Sequence, residues 1–279
     1  MHLWLIRVLR WMDVRLLYAF TAVFVVPVCL VMNESRGIIY RYFRQRHGYG
    51  RWRAAWKTYT NHCLFSQAVI DKFAMYAGKR FHIDIEGYEH FQRLAQRPEG
   101  FLQLSSHIGN YEIAGYTLVA EKTLHALVYH GEKQSVMNNR NAMFAHTNIR
   151  MIPVSTDMSH LFLIEQALHD GQIVSMPADR LFGSQKTVTV SLLGAEAPLP
   201  MGPFSVATMH GLDVLSVHVI KTGLTRYRIY VTPLFYDRQA VRSEQVRQLA
   251  ASYAAELEHM LTQYPAQWYN FFDFWKQKS

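Results

Sequence analysis

The spacing of apolar and polar residues changes several times along the chain, and each change marks an element. Residues 16–32 carry no charged side chain, an apolar run near the lower length limit for crossing a bilayer. Residues 58–77 repeat apolar positions at a helical spacing and stop at Gly78. Phe81, Ile83 and Ile85 then alternate with His82, Asp84 and Glu86, the two-residue period of a strand closed by Gly87. Beyond it, short apolar runs alternate with helical stretches. The pattern predicts strands at 101–105, 125–129, 149–154, 172–176, 187–193, 214–220 and 227–234. It predicts helices over 110–122, 134–147, 157–169 and 242–263. Strands separated by helices of this length predict an α/β class chain, a single α/β/α domain around a central, largely parallel mixed sheet. The last strands have little helix between them and can run antiparallel.

With 279 residues, half of them hydrophobic, the chain can bury one sizeable core and is too short to require two full domains. It has no internal repeat and no Gly/Ser- or Pro-rich linker. Cys29 and Cys63 form neither a disulfide framework nor a metal-type spacing. The formal net charge of +8 becomes informative once it is located. Residues 1–57 hold nine Arg and Lys57 against Asp13 and Glu34, which accounts for the whole excess. A nucleic-acid face would put charge on the folded body. Charge gathered beside an apolar run points instead to an anionic membrane surface.

The run at 16–32 is long for a signal peptide, and no small-x-small cleavage site follows it, the next residues being Asn33-Glu34-Ser35-Arg36. A buried soluble helix is the alternative. Pro27 also leaves room for a kinked helix that dips into one leaflet. Trp4, Trp11, Trp52 and Trp56 flank the run as interfacial aromatics do, and the stronger positive flank lies on its C-terminal side. The positive-inside rule then keeps the body cytoplasmic. The expected organisation is a basic N-terminal membrane anchor, 1–57, followed by a catalytic domain, 58–279.

The nucleophile elbow, the zinc-protease helix, the P-loop and the full dinucleotide fingerprint are all missing. None of the 14 histidines falls in an obvious metal-ligand pattern. Residues 101–112, Phe-Leu-Gln-Leu-Ser-Ser-His-Ile-Gly-Asn-Tyr-Glu, stand apart. An apolar strand leads into His107, Gly109 allows a tight turn, and Asn110 is a good N-cap for a helix starting at Tyr111. Glu112 then falls in the first helical turn, close to the loop with His107. The carboxyl end of an open α/β sheet is where ligands usually bind. The bland reading is a strand-to-helix turn whose Glu complements the helix dipole. His160 and Glu165 have the same spacing, but a five-residue step inside one helix places them on different faces.

A neutral imidazole can take the proton of an acceptor hydroxyl, while a carboxylate on its other ring nitrogen fixes the tautomer and stabilises the imidazolium. The hydroxyl oxygen could then attack a thioester directly, with no acyl-enzyme. These residues resemble the His-x4-acid motif of the glycerolipid acyltransferase superfamily, and the wider pattern resembles its lipid A biosynthesis (lauroyl/myristoyl) branch. The further matching segments are Met176-Pro177-Ala178-Asp179-Arg180, the run from Gly194 to Phe204, and Pro265-Ala266-Gln267-Trp268.

The resemblance implies a bacterial inner-membrane enzyme on the cytoplasmic face, with an acyl-carrier-protein thioester as donor, a hydroxyl of a membrane lipid or glycolipid as acceptor, and neither a metal nor an organic cofactor. It implies His107 and Glu112 as the catalytic dyad and Asp179 as a functionally important acid. Arg180 would hold a phosphate or stabilise oxyanion charge, and Gly202, Pro203 and Phe204 would open a helix near the acceptor. For Asp179-Arg180 the bland reading is a solvated pair on a surface turn. Two features depart from the family. The arginine it carries between the first two segments has Arg140 as its nearest counterpart here, and the tail after Trp268 lacks the usual basic residues. The acceptor therefore stays open among lipid A-like and other specialised lipids. A lipid hydrolase or thioesterase, and a non-catalytic lipid-binding protein docked on the membrane, are the competing readings.

Overall fold

The computed structural model describes residues 9–129, 147–154, 159–181 and 186–276. Arg140 and all but the last residue of the helix expected over 134–147 lie outside them. Nine strands are described: β1 His82–Glu86, β2 Phe101–Ser105, β3 Leu124–Tyr129, β4 Ile149–Val154, β5 Ile173–Pro177, β6 Thr187–Leu192, β7 Ala195–Pro200, β8 Val214–Gly223 and β9 Arg226–Leu234. Seven form one sheet in the order β1-β9-β8-β2-β5-β3-β4. Its neighbours are parallel except the β8/β9 hairpin, as expected where no helix separates two strands. The chain is thus α/β, with a mostly parallel mixed central sheet.

The β6/β7 hairpin stands outside that sheet. The predicted strand 187–193 ends one residue earlier, and its partner β7 was not predicted. Pro198 and Pro200 argue against a strand in the interior of a sheet, but this one has β6 as its only described partner strand. Leu193 and Gly194 both take positive φ, 50° and 73°, as a two-residue hairpin turn requires.

Helices cover both faces of the sheet. Counted along the chain, α1 is Val14–Met32, α2 Ser35–Gln45, α3 Arg51–Tyr76, α4 Tyr88–Ala95, α5 Glu112–Thr117, α6 Ser159–His169, α7 Met201–Met209 and α8 Arg242–Gln263. One core joins Leu102, Leu104 and Phe204 to Leu249, Tyr253 and Leu257 of α8. The other joins Phe91 of α4 and Ile113 of α5 to Phe101, Val217, Val219 and Ile229. Residues 214–221 of β8 are buried, so the strand reads as a continuous apolar run. Three of its positions break that run, Ser216, His218 and Lys221, and all are buried.

The N-terminal region is a helical pair rather than an isolated anchor. α1 runs antiparallel to α3: Tyr18 reaches Asp71, Thr21 Oγ1 lies 3.3 Å from Ser66 Oγ, and Tyr59 OH donates to the Ala22 carbonyl at 2.9 Å. α3 runs without a break through position 57 and begins seven residues before the predicted 58. A π-turn, Thr21–Val25, precedes Pro27, whose ring and missing N–H disturb the turn before it. Only 17% of the apolar window of α1 is buried, and Phe20, Phe24, Val28 and Val31 are exposed. That exposure does not suit the core helix of a soluble protein, and α1 is long and apolar enough to anchor in a membrane.

Candidate active site

The site grows from the carboxyl ends of two neighbouring strands. β2 and β5 pair in parallel, with Ser105 opposite Pro177, and the Ala178 N–H donates to the Ser105 carbonyl at 2.9 Å. His107 lies two residues beyond one strand end and Asp179 two residues beyond the other. They therefore arrive at the same height above the sheet.

His107 Nδ1 lies 2.7 Å from Asp179 Oδ1. Asp179 Oδ2 accepts from the backbone N–H of His107 at 2.8 Å and from the indole Nε1–H of Trp268 at 3.1 Å. Asp179 is 1% exposed. Burial by itself would raise its pKa, but the His107 charge, two hydrogen bonds from His107 and one from Trp268 outweigh burial and hold it down at about 2. Nothing about this acid is a solvated surface pair. Arg180 turns away from it, donating from Nη2 to the Tyr269 carbonyl at 2.9 Å and lying 5.3 Å from the ring centre of Phe272.

The sequence placed Glu112 on the second ring nitrogen. In the structure the carboxylate at Nδ1 is that of Asp179. The Glu112 carboxylate instead meets Lys72 Nζ at 2.5 Å and Tyr76 OH at 3.0 Å, both from α3. The helix after the loop is also shorter than predicted, Glu112–Thr117 rather than 110–122, and the side chain of Tyr111 at the cap position makes no capping bond to the helix. Asn110, the expected cap, donates from its side chain to the Ala68 carbonyl at 3.3 Å.

The loop itself is clamped. Gly109 has φ +64°, and a Cβ built there would sit 1.8 Å from the Val219 carbonyl oxygen. Its N–H donates to the Gln267 carbonyl at 2.8 Å, and the Tyr269 N–H donates to the His107 carbonyl at 3.0 Å. Gly109→Ala is expected to destabilise the protein by at least about 2 kcal/mol, through both the positive φ and the clash. Denaturation of the purified variant checks this, and a wild-type midpoint would show that the loop can shift aside.

Beneath the loop, β2 has already left its ladder with β8, whose last registered pair is Leu104 with Ser216. The buried His218 side chain fills the gap, with Nδ1 3.0 Å from Ser106 Oγ and Nε2 2.8 Å from Ser216 Oγ. Burial, partly offset by the Asp179 charge, pulls His218 down to about 4, so it is neutral at pH 7 and bridges two hydroxyls. Sequence reasoning missed His218, Trp268 as a donor to Asp179, and Lys72 with Tyr76. Polar residues on otherwise apolar elements, such as Ser216 and His218, were the available signal.

Asp179 also implies a pH dependence of stability. Its folded pKa, about 2, lies below the ordinary aspartate value of 3.8. It therefore contributes stability at pH values above about 4, which is lost as the pH falls through 2. The shift corresponds to about 2 kcal/mol. Melting midpoints between pH 5 and 2 should fall more steeply for wild type than for Asp179→Asn.

The other expected residues are placed as follows. Gly202, Pro203 and Phe204 do open a helix, α7, but Phe204 is fully buried and packs on Tyr253 with ring centres 5.8 Å apart. Glu165, paired with His160 only by spacing, bonds to His210 Nε2 at 3.0 Å. Among the described residues no group of three or more His, Cys, Asp or Glu side chains is placed to hold a metal ion.

The crystal structure of the 1-acyl-sn-glycerophosphate acyltransferase PlsC from Thermotoga maritima is similar at 14% identity and a TM-score of 0.40, covering 91% of this chain and 98% of that one. No curated protein matches the chain. The model of the bacterial lipid A biosynthesis acyltransferases matches residues 67–277, three quarters of the sequence, and the chain belongs to that family of acyltransferases acting on lipids.

Proposed function

We propose that this acyltransferase moves a fatty acyl chain from an acyl-carrier-protein thioester to a hydroxyl of a membrane lipid or glycolipid, with His107 as general base. The observation that carries the reading is the hydrogen bond between His107 Nδ1 and the buried Asp179 carboxylate. An ionised carboxylate at Nδ1 keeps the proton there and directs the lone pair of Nε2 to the acceptor hydroxyl. Nε2 takes the hydroxyl proton as the oxygen attacks the thioester carbonyl. The tetrahedral intermediate collapses to an ester, and the imidazolium returns its proton to the departing thiolate. Asp179 stabilises the imidazolium in between.

Glu112, the acid of the His-x4-acid motif, is proposed to act from the other side of the loop. Its charge is balanced by Lys72 and its position set by Tyr76. Arg180, tied to the tail at Tyr269, is proposed to meet phosphate or oxyanion charge. The enzyme is proposed to sit on the cytoplasmic face of a bacterial inner membrane. α1 and the exposed Trp52 and Trp56 of α3 would enter the interface, and the basic residues of 1–57 would meet anionic lipid.

The test is to incubate purified protein with radiolabelled acyl-carrier-protein thioester and total lipids from a strain lacking the gene. A labelled lipid made by wild type and lost in His107→Ala supports the reading and delivers the acceptor for mass analysis. Labelled free fatty acid alone would mean hydrolysis instead, and no product at any chain length would leave a lipid-binding protein.

A further inference from the structure

Between α2 and the C-terminal tail lies a cavity of about 320 Å³, with Trp268, the donor to Asp179, in its lining. Its walls include Tyr42, Gln45 and Arg46 of α2 and Asn270, Asp273 and Trp275 of the tail. Several of its wall residues carry buried polar groups with no hydrogen-bond partner among the described residues. Asn270 is 4% exposed, and both its amide nitrogen and its amide oxygen lack a hydrogen-bond partner. Tyr42, 6% exposed, leaves its hydroxyl unpartnered, and the Trp275 indole nitrogen is buried and unpartnered as well. Buried polar groups are normally satisfied, so a cluster of orphans on residues that line one cavity points to a ligand that satisfies them.

The chemistry of the orphans selects the ligand. The Asn270 NH2, the Tyr42 hydroxyl and the Trp275 N–H can all donate, and Asn270 Oδ1 alone can only accept. Arg41, Arg46 and Lys276 also line the cavity, against Glu196 and Asp273. One positive charge is left over. Asp273 is shared between Arg41 at 3.8 Å and Lys276 at 3.3 Å, while Arg46 stacks 4.3 Å over the Trp275 ring. An oxygen-rich monoanion that also carries a hydroxyl fits this lining. The volume is at the small end of ligand sites, suited to a headgroup rather than a whole lipid. α2 starts three residues after α1 ends, so an anchored α1 holds the cavity at headgroup level.

We propose that this cavity binds the phosphodiester headgroup of one anionic glycerophospholipid, a discrete site in addition to the diffuse attraction of the basic N-terminal region. The proposal rests on the reading of α1 as a membrane anchor. Its readout is retained lipid, so its failure is distinguishable from failure of acyl transfer.

The experiment is native mass spectrometry of the full-length protein in nonionic detergent, titrated with phosphatidylglycerol or phosphatidylcholine. Wild type should retain one phosphatidylglycerol at concentrations where phosphatidylcholine does not bind. Asn270→Leu should weaken retention roughly tenfold or more, as should the double variant Arg41→Gln/Lys276→Gln, which changes only exposed side chains and leaves the core untouched. Val241→Ala, exposed just ahead of α8, should retain the lipid as wild type does. Equal binding of both lipids, or unchanged binding by both cavity variants, would overturn the site. Displacement of the lipid by equimolar sn-glycerol 3-phosphate would assign the cavity to a soluble phosphate ester and overturn the lipid proposal.

Discussion

Asp179→Asn is expected to lower kcat by roughly 10³- to 10⁴-fold with little change in KM, the size of effect seen when a triad acid becomes an amide. The geometry leaves the amide a single orientation. Asp179 Oδ2 accepts two N–H groups, from the His107 backbone and from Trp268, so an NH2 at that position would face two donors. The NH2 must take the Oδ1 position, opposite His107 Nδ1. It then donates to Nδ1, the imidazole proton moves to Nε2, and the nitrogen facing the acceptor hydroxyl is no longer a base. Glu112→Gln keeps a group that can bond Tyr76 and should cost less, about 10- to 100-fold. Steady-state kinetics on the two variants decide the assignment. A larger loss for Glu112→Gln than for Asp179→Asn would restore Glu112 as the partner of the base.

The competition between the two acids shows what the sequence could and could not reveal. His107 at the end of a strand was legible, because the apolar run, Gly109 and the polar turn around it are local signals. The partner was not, because Asp179 is 72 positions away and reaches His107 through the adjacency of β2 and β5. Sheet order is a property of packing, and β2 and β5 are separated in the chain by two other strands. Once Ser105 is known to lie opposite Pro177, the meeting of His107 and Asp179 follows from counting two residues along each strand. Strand β7 was hidden for a different reason: its prolines suppress the strand signal, although a strand paired on one side tolerates them. The strands with clean apolar runs appeared within a residue or two of their predicted bounds, apart from a longer end to β8. Helix α8 fell on 242–263 as read.

Removing either side of the buried ion pair between Asp71 and Lys221 is expected to destabilise the protein by about 3–5 kcal/mol, while removing both should recover most of the loss. Asp71 is fully buried and Lys221 is 7% exposed. The Asp71 carboxylate accepts from Lys221, from the Tyr227 hydroxyl and from the Tyr18 hydroxyl. Burial pushes Asp71 up and Lys221 down, so each charge depends on the other to remain ionised. Lys221→Met leaves a carboxylate in the core, and Asp71→Leu leaves an ammonium there. Asp71→Leu/Lys221→Met leaves neither and adds apolar volume. Denaturation of the three variants in detergent measures the cycle, and a double variant no more stable than the singles would show that the site cannot repack. Tyr18→Phe should cost less, about 1–3 kcal/mol, for the bond the hydroxyl donates to Asp71 and the one it accepts from Lys221 Nζ at 3.1 Å. The pair also matters for the site. Gln267 brackets Lys221, accepting from its N–H at 2.9 Å and donating to its carbonyl at 2.8 Å, and the Gln267 carbonyl holds the Gly109 N–H. Tyr18 belongs to α1 and Asp71 to α3, so one buried carboxylate ties both helices to the strand whose neighbours clamp the His107 loop. The single variants should therefore lose kcat under conditions where they remain folded, and the double variant should regain it together with its stability.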